Sequence, residues 1–135
     1  MNVPPLLRKW FILHFALDII FAFPLIFMPE IFMSFWGFAD FNNLTARLTG
    51  AALTAIGVNS FLMSGGGAEA FNAMLTLKII WSLSAILGII MTIADGGPGS
   101  LYLFLGIFTI FSLVWIFYKR KLMRVLKAAP EPLQP

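Results

Sequence analysis

Residues 10–28 read WFILHFALDIIFAFPLIFM, and this stretch decides how the chain is to be folded. At 1.5 Å rise per residue a helix of this length spans about 28 Å, close to the ~30 Å of a bilayer's hydrocarbon core. His14 and Asp18 interrupt an otherwise apolar run, with Asp18 near its middle. An ionisable group in hydrocarbon costs at least ~2.5–3.5 kcal/mol on insertion scales, so it faces a partner or a wet cavity. The run is too long for a signal peptide, carries an acid, and ends without a small-x-small cleavage site. It reads as a membrane helix that keeps polar groups on one face.

Three further apolar runs follow, and the next two each carry a cation, Arg47 and Lys78. The expected spans are residues 8–29, 44–64, 71–94 and 100–118, within one domain over residues 1–127. Residues 128–135, rich in proline, read as a disordered tail, and the Met1–Leu7 lead with its Pro4-Pro5 pair reads as irregular and interfacial. Pro24 and Pro29 predict a kink or early unwinding at the end of the first span. EIFMSFWGFADFNN then reads as an interfacial loop or short amphipathic helix, anchored by Phe32, Phe35, Trp36 and Phe38. Gly65-Gly66-Gly67 and Asp95-Gly96-Gly97-Pro98-Gly99 mark the later turns.

Bulk composition agrees. Of the 135 residues, 60% are hydrophobic and only 11% charged, with a mean hydropathy of +0.93. Soluble domains run near 45–50% apolar and about 25% charged. The absence of cysteine excludes disulfides, thiolate metal sites, iron–sulfur clusters and thiol-based quinone chemistry. A single histidine leaves no basis for a His-rich zinc or haem site, so no metal and no cofactor is expected.

Seven of the nine cations lie at the two ends: Arg8 and Lys9, then Lys119, Arg120, Lys121, Arg124 and Lys127. Both clusters flank apolar spans, which is how topology and anionic lipid are handled, and nucleic acid is not an expected partner. The expectation is an all-α, four-helix transmembrane bundle, up-down-up-down, with both termini cytoplasmic in a cell (inner or cytoplasmic) membrane.

That topology converts sequence position into depth. His14 and Asp18, one turn apart, share a face. Asn59 on the second helix and Lys78 on the third return to the level of His14. The candidate intramembrane cluster is therefore His14, Asp18, Asn59, Lys78 and Ser82, built around an Asp18–Lys78 pair. It reads either as a packing clamp that selects one helix register or as a ligand-binding or proton-handling pocket. Arg47 lies one turn inside the outer end of its helix, where it can reach the interface or pair with Glu30 or Asp40. Ala46, Gly50, Thr54 and Gly57 form a small-residue stripe suited to close helix approach. Gly106, Thr109 and Ser112 are expected to face inward on the fourth span.

HFALDIIFAFPLIFMPEIFMSFWG followed by ARLTGAALTAIG resembles small four-helix prokaryotic membrane proteins of the DoxX-like group. In those a proline ends the first helix, an aromatic-Gly turn follows, and an A-R-x-x-G-A-x-x-x-x-G helix comes next. The matching residues are Pro29, Gly37, Ala46, Arg47, Gly50, Ala51 and Gly57, with Gly57 one position beyond the strict spacing, where Ile56 falls. The likeness covers about the first half of the chain and implies architecture more than chemistry. More distant four-helix proteins, sterol-isomerase-like and sigma-2-receptor-like, bind apolar amines or sterols around buried acids. Asp18 is the one acid here placed for that part.

No carboxylate shares the depth of Asp18, and no Ser-His-Asp order or phosphate loop is present, so an enzyme is not expected. The leading functional expectation is a non-catalytic structural or accessory subunit that assembles with its own copies or a larger membrane complex. The alternatives are a binder of a lipid-like or cationic amphiphilic ligand at the polar cluster, and a small proton-coupled transporter or channel. Membrane lipids are partners in all three.

Overall fold

In the computed structural model, residues 3–127 are described, and the expected tail at 128–135 lies outside them. Among the described residues the fold is all-α, with five helices: α1 (Pro5–Phe27), α2 (Pro29–Phe35), α3 (Asn43–Met63), α4 (Ala68–Ala94) and α5 (Leu101–Lys127). Three of them, α1, α4 and α5, are long and apolar enough to cross a membrane. α3 has the length but is more polar, and its hydroxyl and amide groups turn back on their own helix. Thr49 and Thr54 donate to the carbonyls of Thr45 and Gly50, and Asn59 and Ser60 to those of Ala55 and Ile56.

The proline-containing ends depart from expectation in an instructive way. The lead expected to be irregular through Leu7 is helical from Pro5 onward, with Pro4 extended just before the helix. Proline is at home in a first helical turn, where its missing N–H would have had no partner and its fixed φ suits the helix. Val3 and Leu7 are buried there as part of the core. Pro24 stays inside α1; the break comes at Met28, whose φ of −137° lies outside the helical range. That residue precedes Pro29, and the proline ring disfavours helical backbone at the position before it. Gly37, at φ +85°, closes α2 by taking the left-handed conformation that other residues adopt at a cost.

Further along, α4 starts three residues before the expected span, at Ala68, and the basic segment KRKLMRVLK continues α5 as one helix to Lys127. The asparagine before α3 is its cap: Asn42 Oδ1 accepts from the Leu44 and Thr45 amides at 2.8 and 3.2 Å. On α5, Ser112 is buried as expected, whereas Gly106 and Thr109 face outward.

Packing divides the long helices into two pairs, α1 with α3 and α4 with α5, while α3 and α4 share little contact. The α1–α3 seam is built on glycine. A Cβ at Gly50 would lie 2.7 Å from Ile26 Cγ1 and 3.0 Å from the Ala22 carbonyl oxygen. One at Gly57 would lie 2.7 Å from Asp18 Cβ. These helices therefore meet at backbone distance, as small residues permit.

The two pairs join at one end through a core of Leu7, Phe11, Phe71, Leu75, Trp115 and Leu122. Polar ties reinforce that end. Arg8 donates to the carbonyls of Ser64 and Gly66 past the end of α3, with its guanidinium 5.2 Å from the Phe71 ring centre. Lys119 Nζ donates to the Asn72 carbonyl at 3.0 Å. These contacts put the start of α1, the end of α3, the start of α4 and the end of α5 together. At the opposite end, Ser100 Oγ donates to the Trp36 carbonyl, so the α2 segment is fastened to the α4–α5 turn. Elsewhere the outer surface is apolar: Ile20, Phe27, Leu87, Leu113 and Phe117 are each more than 60% exposed.

Candidate functional site

Between the joined end and the α2 segment lies a cavity of about 470 Å³. α1 contributes His14, Asp18, Phe21 and Leu25, α4 contributes Lys78, Trp81, Ser82, Ala85 and Ile89, and α5 contributes Phe104, Phe108, Phe111 and Trp115. Phe32, Met33, Trp36 and Phe38 close it from the α2 segment, and Thr49 and Leu53 line it from α3. The wall is aromatic and aliphatic. Its polar groups gather at the end nearest the joined core.

Each member of that polar group is placed by its helix. Asp18 is buried on the face of α1 that rides over Gly57. His14, one turn earlier, brings its Nδ1 to 2.6 Å from Asp18 Oδ2. Lys78, 1% exposed, reaches across from α4 and sets its Nζ 3.0 Å from the same Nδ1. The expected Asp18–Lys78 pair is thus made through His14, and no direct contact within 4 Å joins the two among the described residues. Asp18 Oδ2 has no other hydrogen-bond partner there.

The lysine is held by more than hydrogen bonds. Its Nζ stands 5.1 Å from the Phe11 ring centre and 4.9 Å from that of Trp115, within range of the attraction between a cation and an aromatic face. His14 meets Phe111 and Trp115 edge-on at 5.0 and 5.3 Å. Ser82 is buried beside the group, accepting from Ser112 Oγ at 2.7 Å and donating to the Ile79 carbonyl at 3.2 Å.

The shared nitrogen constrains the chemistry. One imidazole Nδ1 either donates a proton or accepts one, so it cannot donate to Asp18 and accept from an ammonium at once. The proton can rest on Lys78 with His14 neutral, on His14 with a neutral amine, or on Asp18 with both nitrogen groups neutral. All three arrangements have zero total charge, and a buried site favours zero because an unbalanced charge there costs several kcal/mol.

Two sequence-expected residues fall elsewhere. Asn59 is exposed and bonds its own helix at Ala55, 2.9 Å away, since its position on α3 faces away from the seam occupied by Gly57 and Ser60. Arg47 pairs with neither Glu30 nor Asp40 among the described residues; its Nε donates to the Ile26 carbonyl at 3.3 Å. That carbonyl lies in the last turn of α1, where the break at Met28–Pro29 leaves oxygens without helical donors, so Arg47 serves as a cap. Glu30 instead accepts from Asn43 Nδ2 at 3.0 Å.

Sequence reasoning did not find Phe11, Phe111 and Trp115 around the lysine, nor Trp36 at the far end. The spacing of Phe111, Ser112 and Trp115 does put a polar–aromatic face on α5, which is the signal that was there to read. Trp36 lines the cavity, and its buried indole N–H has no partner among the described residues. Comparison with family models, with curated proteins and with solved structures gives no match to this chain.

If Asp18 and Lys78 balance one another through His14, their substitutions are not additive. Asp18→Asn and Lys78→Met are each expected to lower stability in nanodiscs. The double variant should lose less than the two losses combined, by about 0.5–3 kcal/mol of coupling. Additive losses in thermal unfolding would mean that the three groups do not act as a unit.

Proposed function

We propose that this protein holds one lipid-like molecule in the cavity between its two helix pairs, as a non-catalytic integral membrane protein. The observation that carries this reading is the joining of an aromatic, apolar cavity of about 470 Å³ to a buried cluster of ionisable groups at one end. Ligand sites have this composition: an apolar wall supplies affinity and a few polar groups fix orientation. The volume suits an amphiphile with a compact head and an extended body.

The reading includes four spans. α3 joins α1, α4 and α5 across the bilayer, because its polar side chains are bonded within the helix and its exposed face carries Leu48, Val58 and Leu62. With seven cations at the chain ends, the joined end faces the cytoplasm and α2 lies at the outer surface. Of the stripe that favours an assembly role, Ala46, Gly50 and Gly57 are buried and Thr54 is half-buried, and the two glycines lie against α1. The apolar outer surface is what lipid requires of any such helix set. Neither feature therefore singles out a protein partner.

The topology is open to a simple check, since the chain has no cysteine. A membrane-impermeant maleimide added outside intact cells should label Asp95→Cys and spare Lys121→Cys until the membrane is opened. The reverse pattern would invert the assignment.

Binding is tested by native mass spectrometry of protein extracted gently from its own membrane. Wild type is expected to retain one apolar small molecule per chain. Ala85→Trp, which fills the cavity from α4, should keep its helical spectrum and lose that molecule. A wild-type protein without a retained molecule, or an equal load on Ala85→Trp, would overturn the reading.

A further inference from the structure

Resting on the cavity as a binding site, we propose that its occupant is an uncharged lipid bearing an oxygen function at each end. Two observations carry this, one from each end of the cavity.

At the inner end, His14, Asp18 and Lys78 already balance to zero in each arrangement of their shared proton. A cationic or anionic head arriving there brings one charge too many into a site bounded by Phe11, Phe111 and Trp115. A hydroxyl or carbonyl head brings none. It also finds partners, because Asp18 Oδ2 has a single close neighbour and Lys78 Nζ carries more protons than His14 takes up. A cationic amphiphile, one of the occupants considered from sequence, is disfavoured by the same argument.

At the outer end, Trp36 packs on Phe104 with ring centres 4.8 Å apart, and its buried N–H has no partner among the described residues. An indole N–H is a donor only, and a buried donor without an acceptor costs on the order of the desolvation it has undergone. An acceptor oxygen on the ligand removes that cost. From Phe104 to Trp115 along α5 is eleven residues, roughly 16 Å at helical rise, which sets the distance between the two oxygens.

The test uses probes that differ only at their ends. Dodecan-1-ol, 1,12-dodecanediol, dodecylamine and dodecanoate are offered to the full chain in nanodiscs at equal membrane mole fraction. Trp36, Trp81 and Trp115 line the cavity and report binding by fluorescence. The alcohol should bind roughly tenfold or more tightly than either charged probe, as expected for an unbalanced charge in a desolvated site. The diol should exceed the alcohol, and in Trp36→Phe, read by Trp81 and Trp115, that difference should disappear. Lys78→Met should shift preference toward the amine, whose ammonium then replaces the missing one.

Charged probes binding as well as the alcohol would overturn the uncharged head while leaving the cavity as a binding site. A diol no better than the alcohol would overturn the second oxygen. If no probe binds yet the extracted protein retains its own molecule, this inference fails and the binding function stands. If neither is seen, both fail.

Discussion

The close approach of α1 to α3 at Gly57 is the constraint on which the rest of the structure depends. Asp18 sits directly over that glycine, and any side chain at position 57 would meet its Cβ at 2.7 Å. The absence of a Cβ lets the two backbones close, and the closure buries the carboxylate at the edge of the cavity. From there His14 and Lys78 follow. The histidine is one helical turn away on the same face, and the lysine crosses from the other helix pair to complete the charge balance. Hydrocarbon or dry protein tolerates these groups only as a set.

That set also explains why a cavity can persist between the pairs. The two pairs are tied at one end by Phe11, Phe71, Leu75 and Trp115, and at the other by Ser100 and the Trp36 carbonyl. Between these ties, facing side chains such as Ala85 and Ser82 are too small to fill the space left by Phe108 and Trp81. The polar triad spans the gap at its inner limit without closing it. A shape fixed at both ends and open along its middle suits a guest molecule better than an interior packed to its normal density.

Much of this was legible in the sequence. Counting depth along the four expected spans brought Lys78 to the level of His14, because helical rise is uniform and the connections are short. The small-residue stripe on α3 marked the close seam correctly. The same bookkeeping misplaced Asn59, since depth says nothing about which way a side chain points around the helix. Gly106 and Thr109, both exposed, failed for a related reason: small and polar residues are not inward by nature. Pro5 read as a loop residue, although a first helical turn accepts proline readily. The aromatic enclosure of Lys78 was hidden because fifteen phenylalanines give no pattern by which to choose the few that face a cation.

The chain's single histidine makes its central interaction directly observable. A nitrogen-15 spectrum of histidine-labelled protein in nanodiscs reports His14 alone, and the Gly57→Ala variant moves the helix on which Asp18 depends. A strongly hydrogen-bonded Nδ1 is expected in wild type and in Gly106→Ala, where a new methyl meets open space, and its loss is expected in Gly57→Ala. A His14 signal resembling free imidazole, or one that Gly57→Ala leaves unchanged, would contradict this expectation.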